Sequence, residues 1–213
     1  MPTGAALVPR EQCAKKKALG LRGDAREALL TPRKIYLAGP EVFRPDAVEA
    51  GRRKQTLCRE FGFEGLYPLD TALPDGDWRD ERIYAANLAL IRQAEAAVFN
   101  LTPFRGVNAD LGTAFELGFC VALGKPVFAY THDPEDYFVR VREAFGAHQT
   151  QDGLYCDAHG LEIENFGNAD NLMLDAALKS QGRAVLRGAD KTPPDDLALF
   201  VACLRQALLH FGS

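Results

Sequence analysis

At 213 residues, with 47% hydrophobic and 25% charged residues, the chain has the size and balance of one globular domain around a single buried core. A formal net charge of -4 and a pI near 5.6 exclude a general nucleic-acid binder, which needs a basic surface to neutralise phosphates, but not a small ligand held in a local pocket. No apolar run approaches the roughly 20 residues of a membrane-spanning helix. The five cysteines fall without a Cys-x-x-Cys pair or a histidine at metal-ligand spacing, which suits free thiols in a reducing cytoplasm.

Residues 1–33 differ from the rest. They carry Lys15-Lys16-Lys17 and end at the breaker Thr31-Pro32, so a loosely ordered extension is expected before a domain at 34–213. Glu11, Asp24 and Glu27 sit badly with a transit peptide, which is poor in acids.

From residue 34 short apolar runs alternate with helical periodicity. Lys34–Ala38 reads as a buried strand stopped by Gly39-Pro40. Ala47–Phe61 follows as a helix with Val48, Leu57 and Phe61 as core contacts, then Phe63–Tyr67 as a strand broken at Pro68. Asp80–Glu95 has a strong 3.6 period through Ile83, Asn87, Leu88, Leu90, Ile91 and Ala94. Ala96–Leu101 is a strand ending in Thr102-Pro103, and Asp110–Leu123 a helix with Asp110 near its N-terminus and Gly124 at its stop. Val127–Tyr130 is a further strand. The stretch 132–166 shows no clear period, while 170–179 and 193–211 look helical.

This alternation predicts an α/β fold: a single domain with a mostly parallel, flavodoxin-like or Rossmann-like sheet flanked by helices. Ligands of such sheets sit at the carboxyl ends of the strands, which directs attention to the loops after residues 38, 67, 101 and 130.

The segment Asn100–Gly118 carries the most chemistry. It joins a strand end, a polar loop and a helix opening, with Asp110 and Glu116 separated by the small residues Gly112 and Ala114, which allow a ligand close to the helix backbone. Glu116 lies between Phe115, Leu117, Gly118 and Phe119, where a carboxylate must be paired or functional. Asp110 suits a helix cap, a role compatible with ligand binding. Residue chemistry alone leaves Glu116 open between a solvated helix position and a functional one.

Several motifs in register resolve that choice. Tyr36-Leu37-Ala38-Gly39-Pro40 with Phe43, then Asn100-Leu-Thr-Pro-Phe-Arg-Gly, then Asp110-x-Gly-Thr-Ala-Phe-Glu-Leu-Gly118, and finally Asn165-Phe-Gly with Asp170-Asn-Leu-Met-Leu174, resemble the nucleoside 2-deoxyribosyltransferase family over roughly residues 34–180. The resemblance implies that Glu116 is the nucleophile attacking C1′ of a deoxyribose and that Asp110 binds sugar hydroxyls and helps position it. It further implies that Gly39 lies where the backbone approaches the nucleoside, that Phe43 is a wall for the base, and that Gly112 belongs to the same binding surface. Asn171 matches an asparagine supplied to the site of a neighbouring subunit, so a homo-oligomer is implied. The substrates are a deoxynucleoside and a free nucleobase, with no metal or organic cofactor, no nucleic-acid polymer and no membrane as partner.

One position departs from the family pattern. Where many members have an aspartate thought to help protonate the leaving base, this chain has Asn87, and an amide supplies no proton at neutral pH. Asp70 is the nearest substitute in sequence, although a turn residue explains it as well. Two other readings share these residues: a hydrolase of 2′-deoxynucleosides or their 5′-monophosphates, and a non-catalytic nucleoside-binding module. The first loop, Gly39-Pro40-Glu41-Val42-Phe43, is apolar and acidic, which favours an unphosphorylated nucleoside. Trp78 as a stacking partner, Arg105 as a phosphate contact and Cys120 beside Glu116 are secondary candidates, each with a plain structural explanation: packing for Trp78 and Cys120, and an ion pair that fixes the loop for Arg105.

Overall fold

Strand β1 (Arg33–Ala38) divides its side chains between two separate cores, and the rest of the architecture follows from that division. Tyr36 and Ala38 enter one cluster and Ile35 and Leu37 the other, as the period of two along a strand requires. The computed structural model describes residues 31–70 and 79–212; the expectations for residues 1–30 and for Trp78 lie outside them.

After β1 come helix α1 (Ala47–Glu60), β2 (Phe63–Leu66), α2 (Asp80–Gln93), β3 (Ala96–Asn100), α3 (Leu111–Ala122) and β4 (Val127–Thr131). Then follow α4 (Tyr137–Phe145), a small hairpin of β5 (His148–Gln149) and β6 (Tyr155–Cys156), α5 (Leu172–Ser180), β7 (Leu186–Arg187) and α6 (Ala198–Gly212). The main sheet has the order β2-β1-β3-β4-β7, and every pairing in it is parallel. Parallel neighbours require crossovers, and these lay α1 and α6 on one face and α2, α3 and α5 on the other. Strands buried on both faces read as near-continuous apolar runs, so β3 and β4 were legible as Ala-Ala-Val-Phe and Val-Phe-Ala-Tyr. The chain leaves β1 toward β2 on one side and β3 on the other, which opens a crevice at their carboxyl ends.

The fold is the predicted α/β class, with local differences. Val48 is 55% exposed rather than a core contact, while Leu57 and Phe61 do pack against the α1/α6 core. The stretch 132–166 contains α4 and the hairpin. The periodicity of α4 is hidden because buried Arg140 occupies a position where an apolar residue would have marked the inner face. The two C-terminal helices start later than expected, at Leu172 behind an Asn171 cap and at Ala198. Among the described residues, no helix is long and apolar enough to cross a membrane, and Cys58, Cys120, Cys156 and Cys203 are free.

Candidate active site

Behind the loop that follows β1 lies a sealed polar cluster. Glu41, on the short 3-10 turn Pro40–Phe43, is 4% exposed and accepts at Oε1 from Lys54 Nζ (2.5 Å), Asn100 Nδ2 (2.7 Å) and Tyr130 Oη (3.2 Å). Burial pushes its carboxyl up, but the charge and hydrogen bond of Lys54 outweigh it and hold the group below its usual value. A Cβ on Gly39 would collide with this Glu41 carboxylate and stand 2.7 Å from Asn100 Cβ, so the cluster itself demands glycine here. The acidity of the loop is neutralised by Lys54 and lies away from the cavity described next.

On the other side of the same turn is a cavity of about 270 Å³, lined by Gly39, Val42 and Phe43 after β1, Pro68 and Leu69 after β2, Ile83 and Asn87 of α2, and Asp110, Gly112 and Glu116 of α3. Six of the eight residues expected at the site thus share one wall: Gly39, Phe43, Asn87, Asp110, Gly112 and Glu116. Phe43 is half exposed and stacks on Phe104 at 5.0 Å between ring centroids. Arg105, in a left-handed backbone conformation (φ 55°), holds its guanidinium over both rings, at 5.3 Å from Phe43 and 4.7 Å from Phe104. Among the described residues it braces the turn by this contact and not by an ion pair.

Glu116 is fixed by two donors that converge on one oxygen. Tyr36 Oη donates to Oε1 at 2.8 Å and Asn87 Nδ2 donates to the same atom at 3.0 Å. Oε2 has no partner among the described residues and is not one of the sealed orphan atoms, which are Glu41 Oε2 and Tyr67 Oη. Burial pushes Glu116 up to about 7, against the downward pull of the Tyr36 and Asn87 bonds and with a smaller upward push from Asp110. Near neutrality the group therefore exists as both acid and carboxylate. The fully buried Tyr36 hydroxyl is raised far above its usual value by burial and by Glu116, so it remains a donor.

Tyr36 was not singled out from sequence as a site residue. The signal was available: alternation along β1 puts it on the face that α2 and α3 cover, and a buried tyrosine hydroxyl seeks a partner.

Asp110 caps α3. Its Oδ2 accepts from Thr113 N (2.9 Å) and Thr113 Oγ1 (3.1 Å), and its Oδ1 has no partner among the described residues. The other two expected residues are elsewhere. Asp70 is exposed, and its Oδ2 accepts from Tyr67 N (3.0 Å) and Gln55 Nε2 (2.5 Å), the contacts of a turn residue. Asn171 does not line the cavity. It caps α5 through Met173 N (3.0 Å) and donates to Glu164 Oε1 (2.7 Å). Cys120 is buried beneath Glu116, and burial pushes its thiol up to about 12, which makes it inert. Of the histidines, His132 is buried and bonded to Thr192, and His148, His159 and His210 are exposed.

A family model described as nucleoside 2-deoxyribosyltransferase matches residues 35–173, a span that includes every residue of this cavity. The chain belongs to the nucleoside 2-deoxyribosyltransferase family. It is 30% identical, over 185 residues, to an uncharacterized protein of Schizosaccharomyces pombe, covering 77% of this chain and 88% of that one. Its fold is similar to the solved structure of a 2-desoxiribosyltransferase from Leishmania mexicana, with a TM-score of 0.58 and 31% identity over 84% of this chain and 99% of that one. A conserved protein from Enterococcus faecalis, 19% identical with a TM-score of 0.50 over 83% of this chain and 99% of that one, shares the fold. Family and fold together support an enzyme of the deoxyribosyltransferase type.

Proposed function

We propose that this protein transfers the 2-deoxyribosyl group between nucleobases through a covalent intermediate on Glu116. The observation that carries the reading is the Glu116 carboxylate itself. One oxygen is pinned by Tyr36 and Asn87, and the other has no partner among the described residues, at a cavity whose remaining walls are mostly apolar.

Breaking the N-glycosidic bond develops positive charge at C1′ and negative charge on the departing base. Glu116 Oε2 bonds to C1′ as the C1′–N bond breaks, the electron pair leaves with the base, and the base takes up a proton. A ring nitrogen of a second base then attacks C1′, sheds its proton and returns Glu116 as carboxylate, with net retention. The Oδ1 of Asp110 holds sugar hydroxyls beside the nucleophile. Val42, Phe43, Leu69 and Ile83 keep bulk water from the intermediate and give flat bases a surface, which favours a base over water as the acceptor. The Asn87 amide orients the leaving base without protonating it.

The same reading takes the protein as a homo-oligomer in which Asn171 serves a neighbouring site. Supporting this, Asn171 stands off its own cavity, between Phe166 (67% exposed) and Met173 (70% exposed). Tyr84 and Phe115, both more than half exposed, line a shallow cleft that also reaches Glu116, and a second copy would cover it.

The test is chromatography of the purified protein with deoxyadenosine, with and without hypoxanthine. New deoxynucleoside that forms only with the acceptor, and is lost in Glu116→Ala while deoxyadenosine binding persists, is the expected result. Free adenine and deoxyribose in both tubes would make the protein a hydrolase. Unchanged turnover in Glu116→Ala would end the assignment to this residue.

A further inference from the structure

The loop between β3 and α3 delivers Asp110 to the cavity, yet it belongs to neither strand nor helix. Internally it closes through Phe104 N–H donating to the Asn108 carbonyl at 2.9 Å. Its C-terminal half is held from outside by one carboxylate. Asp170, 1% exposed, accepts the Ala109 N–H at Oδ2 (2.9 Å) and, at Oδ1, the Asn108 Nδ2 (3.3 Å) and the Asn171 N–H (2.8 Å). Ala109 is the residue before Asp110, so the first of these bonds acts one peptide unit away from the cavity residue.

Asp170 is itself immobilised. Arg140, 7% exposed, stands 3.6 Å from Asp170 Oδ2 and donates to the carbonyls of Val107 (3.0 Å), Glu135 (2.7 Å) and Ala169 (2.6 Å). Asp175, 5% exposed, accepts the N–H groups of Ala169 (3.2 Å) and Asp170 (3.0 Å). A buried network of this kind is rigid when every member is satisfied and fails as a unit when one is removed. Among the described residues nothing that lines the cavity touches Asp170, so its influence on Asp110 passes through the loop.

We propose that Asp170 is a positioning residue: through the Ala109 N–H its carboxylate sets where Asp110 stands relative to Glu116 and the sugar. The proposal rests on the role given to Asp110 above. Asp170→Asn keeps the shape but replaces one accepting oxygen by an N–H₂ group, which leaves at least one of the buried donors facing another donor. A displacement of Asp110 by a fraction of an ångström to an ångström lowers turnover by roughly ten- to a hundredfold.

The experiment is a double-mutant cycle in the base-exchange assay with Asp110→Asn, Asp170→Asn and both together, run well below each variant's melting temperature as followed by circular dichroism. Expected is a loss of about tenfold or more in kcat/KM for Asp170→Asn, and a double variant no worse than Asp110→Asn, because a residue acting through another is silent once that other is gone. Asn108→Ala removes only one contact of the clamp and serves if Asp170→Asn fails to fold. It should lose about two- to fivefold, again only when Asp110 is present.

Wild-type turnover in Asp170→Asn, or in Asn108→Ala where Asp170→Asn is unfolded, overturns the proposal. So does a loss that adds in full to that of Asp110→Asn, since it signals a purely structural role. Wild-type turnover in Asp110→Asn removes the reading beneath the proposal, and that variant alone reports it.

Discussion

Replacing Glu116 by glutamine should leave the protein inactive and more stable, and the gain in stability should appear only as the pH rises. Glu116 titrates near 7 in the folded chain against an ordinary value near 4.5, chiefly because burial disfavours the charged form. Below about pH 4.5 the folded and unfolded chains both carry the proton, and nothing is lost. Between 4.5 and 7 the unfolded chain ionises while the folded one keeps its proton, so stability falls by about 1.4 kcal/mol per pH unit. Above 7 the full difference, about 3 kcal/mol, opposes folding.

Glutamine has no such titration, and its amide oxygen still accepts from Tyr36 and Asn87. For a chain of this length about 3 kcal/mol corresponds to a rise in Tm of roughly 5–10 °C. Thermal denaturation of both proteins from pH 5 to pH 8.5 should give a gap under about 1 kcal/mol at pH 5 that widens to about 3 kcal/mol at pH 8. A gap independent of pH, or none at pH 8, would refute the account of Glu116 as a carboxylate kept in an unfavourable site for its chemistry.

Since the nucleophile must be ionised, kcat/KM should climb with pH through about 7 and then level, as a pH–rate profile will report. Tyr36→Phe removes a hydrogen bond that favours the ionised form, so the rising limb should move to higher pH by about one unit; a shift to lower pH would contradict the geometry. Asn87→Asp sets a second carboxyl group against Glu116, and the pair should titrate jointly, adding a falling limb at high pH and speeding release of poorly leaving bases. Lys54→Met strips Glu41 of the cation bonded to it in a sealed environment and should lower stability by about 3–5 kcal/mol in urea denaturation.

The elements easiest to read in the sequence were those whose pattern is set by burial alone. Strands β1 to β4 are short apolar runs, the first three ended by Gly-Pro, Pro or Thr-Pro, and the structure keeps all four to within one residue. β7, at two residues, is too short to leave a pattern, and α4 turns a buried arginine inward. At the site, Asp110 and Glu116 stood out as candidates because they share one short segment, a helix cap and an acid in an apolar run, and the family resemblance gave them their roles. The Tyr36 and Asn87 contacts to Glu116 span 80 and 29 positions and depend on which strand and helix become neighbours, which local pattern does not encode. Asp70 stood open in the sequence between a functional carboxylate at a strand end and a turn residue. Its exposed turn geometry shows how the same residue type at the same place can close a loop instead. The clamp at Asp170 joins residues 62 and 61 positions apart and was out of reach for the same reason.

The division of β1 between two cores also bears on how this sequence can diverge. A one-residue insertion or deletion between Arg33 and Tyr36 would turn every following side chain of the strand to the opposite face. The hydroxyl that meets Glu116 would then enter the apolar layer under α1 and α6, and a hydrocarbon would take its place beside the carboxylate. Point substitutions of matched volume can accumulate in that layer, but changes of length in β1 cannot, so relatives that keep the chemistry should vary in length at the loops and never inside this strand.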